Sequence, residues 1–239
     1  MITTIVANWK MNMGYSDMIQ LTTRLSIINP ESVSLIVAPS SCYLHYCATH
    51  LPHARICAQA ISEYEHGAYT GDVSAEMVQS CGARYALIGH SERRALFGET
   101  AAAIEKKLMH CRHHQLTPIL CVGETMADRE SNQTHHVITE QLSPMRTYPG
   151  DYLIAYEPVW AIGTGQTATP AMANEVHAWI HDMVGDHVPV LYGGSVTPDT
   201  APSLLCASDI NGVLVGSASL SIPSITAIIN TAKSMAVPS

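Results

Sequence analysis

The chain has 239 residues, 47% of them hydrophobic, enough to bury a large core, and without linker, repeat or low-complexity tract it reads as one domain over residues 1–239. Lys and Arg number 12 against 20 acidic residues, and the formal charge of −8 argues against nucleic acid or an anionic membrane surface as partner. The opening MITTIVANWK lacks the features of a secretory signal or membrane span, and seven cysteines without framework spacing fit reduced thiols in the cytoplasm.

Eight apolar runs of strand length recur along the chain: Thr3 to Asn8, Ser34 to Pro39, Ala54 to Gln59, Arg84 to Gly89, Thr117 to Val122, Asp151 to Tyr156, Val188 to Gly193 and Asn211 to Gly216. Helical patterns such as Thr100 to His114 and Pro170 to Val184 lie between most of them. An eightfold β-then-α alternation in a chain of this length predicts the α/β class and a closed (β/α)8 TIM barrel, an eight-stranded parallel barrel with outer helices. An open doubly wound sheet fits it less well.

Active sites of such barrels are built at the carboxyl ends of the strands, and here those ends are chemically loaded. The first strand runs into Asn8-Trp9-Lys10, and Lys10 is the only lysine before Lys106. Elsewhere it would read as a snorkelling surface residue. At a barrel mouth its ammonium can attract an anion and polarise a carbonyl oxygen. The fourth strand runs into His90, followed by Ser91-Glu92-Arg93-Arg94, a stretch able to begin a short helix. A helix start disfavours imidazolium, so a neutral ring donating one hydrogen bond to a substrate oxygen is expected. Most of the thirteen histidines read as structural or solvated, and position alone separates this one.

The sixth strand ends at Glu157. Pro158 stiffens the exit, Ile162-Gly163-Thr164-Gly165 supplies a permissive tip, and Thr169-Pro170 reads as an N-cap and first helical residue, so the segment is predicted to be a lid. A glutamate before a loop is ordinarily just exposed, and only its neighbours argue otherwise. Strands seven and eight close on Gly193-Gly194-Ser195 and Gly216-Ser217, whose backbone N–H groups can face a phosphate. Singly, such glycines mark turns. A carboxylate, an ammonium, a neutral imidazole and a phosphate cradle, with no evident metal or nucleotide site, suit proton abstraction next to a carbonyl. The carboxylate would take a carbon-bound proton and return it to the neighbouring carbon while the two electrophiles stabilise an enediolate. The lid would exclude water and raise the basicity of Glu157.

The segments ANWKMN (7–12), GAYTGDVSAEM (67–77), YALIGHSERR (85–94), ILCVGET (119–125), AYEPVWAIGTGQTAT (155–169), LYGGSV (191–196) and GVLVGSASL (212–220) closely resemble the triosephosphate isomerase family, in its order and over nearly the whole chain. That family is the standard illustration of a glutamate base with a neutral histidine under a closing loop, so these roles follow the family. The resemblance implies cofactor-independent interconversion of dihydroxyacetone phosphate and glyceraldehyde 3-phosphate, with Glu157, His90 and Lys10 catalytic and Asn8, Lys10, Gly163, Ser195, Gly216 and Ser217 binding substrate. It also implies a homodimer in which the loop Glu65 to Asp72 reaches the partner's site, Thr70 contacting Asn8 of the partner subunit. Several positions depart from the family pattern: Gln166 in the lid hinge, Ser217 in the cradle, Ala60 beside Gln59, and His181 with Asn211, expected to form a neutral hydrogen bond in place of an ion pair.

Rival readings are weaker. Gly163 to Ala168 matches G-x-G-x-x-A, but a dinucleotide fingerprint needs those glycines directly after the strand. A Schiff-base aldolase would want a lysine near the sixth strand end, and none lies between Lys107 and Lys233. Cys42, His45, Cys47, His50, His53 and Cys57, with the pairs His113-His114 and His135-His136, raise a metal-binding reading, but the first group falls in a helical stretch without flanking turns, so no metal site is assigned. A noncatalytic scaffold barrel is opposed by the complete base and electrophile set.

Overall fold

The structure, a computed structural model, describes residues 2–161 and 168–236. Its first half runs β1 (Thr4–Asn8), α1 (Tyr15–Leu25), β2 (Ser34–Ala38), α2 (Leu44–His50), β3 (Arg55–Ala58), α3 (Ala75–Ser80), β4 (Tyr85–Ile88), α4 (Ser91–Phe97), α5 (Ala101–His113) and β5 (Thr117–Val122). There follow α6 (Met126–Glu130), α7 (Thr134–Leu142), β6 (Leu153–Tyr156), α8 (Pro170–Val184), β7 (Val190–Tyr192), α9 (Ala201–Leu205), β8 (Gly212–Val215) and α10 (Ile222–Ala236). Each strand pairs in parallel with the next, and β8 pairs with β1 to close the barrel.

All eight predicted strands are present, a residue or more shorter at most ends. At β7 the cause is Pro189, which has no N–H to give to the ladder. Along each strand alternate side chains point in and out. Val6, Ile36, Cys57, Leu87, Ile119, Ala155, Leu191 and Leu214 fill the barrel interior. Their neighbours Ile5, Ala7, Val37, Ile88, Leu120 and Ile154 pack outward in a second core with helical residues such as Met18, Ile104, Leu108, Ile180 and Ile228. A strand covered on both faces must be apolar throughout, which is why the strands read as unbroken hydrophobic runs. Thr169 caps α8 by accepting a hydrogen bond from the Met172 N–H at 3.2 Å, and Pro170 opens the helix as predicted.

The barrel closes tightly near its mouth. A Cβ at Gly123, just past β5, would collide with the Glu157 carbonyl at the end of β6, so only glycine permits that approach. All seven cysteines are free thiols. No helix among the described residues is long and apolar enough to cross a membrane.

Candidate active site

The carboxyl ends of β1, β4, β6, β7 and β8 surround a cavity of about 610 Å³ whose lining includes Asn8, Lys10, His90, Glu157, Ser195, Gly216 and Ser217. This volume suits a small ligand. Gly163, with the lid tip and Gln166, lies outside the described residues.

Glu157 is only 2% exposed. Its backbone N–H donates to the Val122 carbonyl at 2.7 Å, fixing the strand end. One carboxylate oxygen, Oε2, accepts the Ser91 N–H at 2.8 Å, and Oε1 stands 3.0 Å from His90 Nε2. Ser91 is the first residue of α4, so the carboxylate sits on the positive end of a helix. His90 is the N-cap of that helix, and its Nδ1 accepts the Glu92 N–H at 3.3 Å. That bond needs a lone pair on Nδ1, which assigns the ring proton to Nε2, facing Glu157.

The helix start was expected to hold His90 below its ordinary pKa, and here the structure differs. Burial does disfavour the charged ring, but the attraction of Glu157 and its hydrogen bond outweigh burial, and the pKa stands above the ordinary value. A sequence places His90 at a helix start but does not say that the carboxylate from β6 will turn onto it.

Lys10 has a positive φ of 52°, unusual for a side-chain-bearing residue. Its N–H donates to Asn8 Oδ1 at 3.0 Å, and its carbonyl accepts from Gln59 Nε2 at 2.8 Å and Ser40 Oγ at 3.1 Å. Nζ pairs with Glu92 Oε1 at 2.6 Å. The Lys10 Cε passes over Gly216, 3.6 Å from where a Cβ there would sit, so ammonium and cradle share one wall. Ser217 opens a 3-10 turn, Ser217–Leu220, and is absent from the residues with positive φ, so the serine sits there without backbone strain. The Ser195 hydroxyl donates to the Ala161 carbonyl at 3.0 Å, tying the β7 loop to the root of the predicted lid.

A base, a cation, an imidazole with its proton on Nε2 and a backbone cradle thus converge from five strand ends. A sequence profile of the family described as "Triosephosphate isomerase" matches residues 3–232. A triosephosphate isomerase of Halorhodospira halophila is 44% identical over 243 residues, covering 95% of this chain and 97% of the relative. Those of Shewanella sp. strain ANA-3 and Shewanella loihica are each 40% identical, covering 90% of this chain and 92% of the relative. The chain belongs to the triosephosphate isomerase family.

For a triosephosphate isomerase fold, the positions that sequence reasoning passed over are as informative as those it found. Glu124, fully buried after β5, accepts hydrogen bonds from Tyr156 Oη at 3.1 Å, Trp160 Nε1 at 2.8 Å and Arg129 at 3.0 Å, and so anchors the turn Val159–Ala161 that precedes the predicted lid. Gln59, after β3, bridges the carbonyls of Lys10 and Ala38, the latter at 2.9 Å. Both stand at strand ends, the same signal that selected Glu157 and His90. Glu99 accepts the Gly89 N–H at 3.0 Å, next to His90, and pairs with Lys107 at 2.6 Å and Arg93 at 3.2 Å.

The expectation for His181 and Asn211 is corrected. His181 and Asn211 do not bond to each other: His181 Nε2 meets the Asp209 carbonyl at 3.0 Å, and Asn211 Oδ1 accepts the Val190 N–H at 2.8 Å. Each partner is a backbone group that no side-chain pattern reveals. Thr70, expected to reach the partner subunit, lies exposed on the loop after β3. That loop is held by Ser62 to Asp72 at 2.6 Å and by stacking of Tyr64 on Tyr69 at 3.8 Å.

Proposed function

We propose that this chain interconverts dihydroxyacetone phosphate and glyceraldehyde 3-phosphate by proton transfer through an enediolate, with Glu157 as the base and Lys10 and His90 as electrophiles. The observation that carries the reading is the burial of Glu157 against His90 in a cavity that Lys10 and the Ser195, Gly216 and Ser217 backbone share.

Before substrate enters, Glu157 rests on the Ser91 N–H and the His90 ring. In the reaction it turns from these donors onto the substrate carbon, losing stabilising hydrogen bonds and becoming more basic. The turn also releases the His90 Nε2–H to a substrate oxygen. Once the carboxylate leaves the ring, the main influence that raises its pKa weakens and only the smaller one of Glu92 stays, while burial and the Lys10 charge lower it. A neutral donor faces the developing enediolate, and Lys10 faces it from the other side. Backbone N–H groups at Ser195, Gly216 and Ser217 hold the phosphate, and Asn8 positions Lys10. Closure of the lid over this assembly would keep water from the intermediate.

The loop Glu65 to Asp72 is proposed as the arm of a homodimer, carrying Thr70 to Asn8 of the partner subunit, and the protein is proposed to act in the cytoplasm. The deciding test is a coupled assay of glyceraldehyde 3-phosphate isomerisation. Glu157→Gln should lose at least the roughly 10²- to 10⁴-fold contributed by a positioned base, with KM little changed. Near-normal turnover would remove Glu157 from the reaction.

A further inference from the structure

We propose that Glu65, His113 and His114 form a surface site for one divalent transition-metal ion of the zinc type, outside the catalytic cavity. The Nε2 atoms of His113 and His114 lie 3.7 and 3.6 Å from the same Glu65 oxygen, and the three ligand atoms lie within 4.8 Å of one another. Those separations exceed the roughly 2.7–3.2 Å of a hydrogen bond. They lie close to the roughly 3.3–3.5 Å between ligands held at about 2.0–2.1 Å around a tetrahedral ion. Two contacts need to close by only a few tenths of an ångström, and the wider one closes by rotation of His113, whose side chain is 69% exposed. His114 Nε2 is buried and has no hydrogen-bond partner, an orphaned lone pair or proton that an ion would satisfy.

The backbone explains how adjacent histidines converge. Successive side chains within a helix diverge and do not face each other. Here α5 ends at His113, His114 is its C-cap at φ −96° and ψ 16°, and Gln115 follows with a positive φ of 56°. That turn brings the two rings to 4.7 Å, edge to face. The negative end of the α5 dipole favours a cation at this place. The neighbouring cation Lys106 is paired with Glu63 at 2.8 Å, leaving Glu65 to the two rings. Two imidazoles and one carboxylate suit zinc, copper or nickel and discriminate against magnesium and calcium. Solvent supplies the fourth ligand, since Glu65 and His113 are open to it. A bound ion would clamp the loop that carries Thr70 onto α5.

Calorimetric titration of the full chain with zinc chloride, and with cobalt(II) for its visible four-coordinate spectrum, tests the site. One equivalent should bind with micromolar or tighter affinity, and magnesium should not bind. The double variant His113→Ala/His114→Ala and, separately, the isosteric exposed change Glu65→Gln should each weaken binding by at least tenfold. The comparator His45→Ala/His50→Ala should leave it unchanged. Absence of stoichiometric binding, binding untouched by Glu65→Gln, or equal loss in the comparator would overturn the assignment.

Discussion

Lys107→Met should be among the most destabilising changes outside the cavity. The Lys107 and Glu99 side chains are 6% and 3% exposed and meet at 2.6 Å. Methionine nearly reproduces the aliphatic stem, so the change removes the charge and little packing. It leaves Glu99 buried with only Arg93 and the Gly89 N–H, and breaking one side of a buried pair costs about 3–5 kcal/mol. Because Arg93 remains, the lower figure applies. For a domain of this size about 3 kcal/mol corresponds to a Tm lowered by roughly 6–12 °C at fixed protein concentration. The pH dependence gives a second reading. Burial raises the Glu99 pKa, but Lys107, Arg93 and the Gly89 N–H together outweigh it, and the pKa lies below the ordinary glutamate value. A depressed carboxylate pKa contributes stability that is present above the unfolded pKa and lost as pH falls through the folded one. Lys107→Met removes much of that depression, so the gap between wild type and variant should be widest near neutrality and narrow below about pH 4.5. Thermal unfolding followed by circular dichroism across pH reads both. An unchanged Tm, or a gap that stays constant into acid, would refute the reasoning.

Gly123→Ala should be poorly tolerated, since its Cβ meets the Glu157 backbone: overpacking costs about 1–3 kcal/mol where side chains can yield, and here more, read as loss of soluble protein and of kcat. Gln59→Leu removes both bridging hydrogen bonds and frees the Lys10 backbone, so kcat/KM should fall roughly 10- to 100-fold while Tm shifts little, and an unchanged kcat/KM would dissociate Gln59 from the site. Ser195→Ala keeps the N–H offered to phosphate and loses only the bond to Ala161, so stability should fall by about 1 kcal/mol with KM within a few-fold, whereas a large rise in KM would show that the hydroxyl binds substrate.

The barrel was legible because its strands are apolar on both faces and its helices are capped by local chemistry, as at Thr169 and Thr100. The lining of the cavity was legible wherever a reactive side chain stands at a strand end, as Lys10, His90 and Glu157 do. Glu124 and Gln59 stand at strand ends too, but Glu124 accepts from side chains 32 and 36 residues away and Gln59 donates to backbone carbonyls 49 and 21 residues away, and no local pattern encodes those partners. Glu92 read as a polar residue opening α4, yet it is the counter-charge of Lys10. The His181 and Asn211 expectation failed for the related reason that each residue found a backbone group instead of the other side chain.

A chain of net charge −8 that binds an anionic substrate must concentrate its attraction locally. At physiological salt a surface charge is screened over about 8 Å, so the acidic exterior weighs little inside the cavity. The lysine lining the cavity is partly neutralised by Glu92, so under the proposed function much of the phosphate binding falls to backbone N–H groups, dipoles that carry no counter-ion and cannot rotate away. Lys10 serves instead as a cation of fixed position. A positive φ costs about 1–3 kcal/mol in an ordinary residue and persists only where the surroundings over-determine it. Here Asn8 of β1, Ser40 after β2, Gln59 after β3 and Glu92 of α4 all hold it. Its ammonium is therefore positioned by closure of the barrel itself, so a change at any of those four residues should act on turnover through Lys10 even where it never touches the substrate.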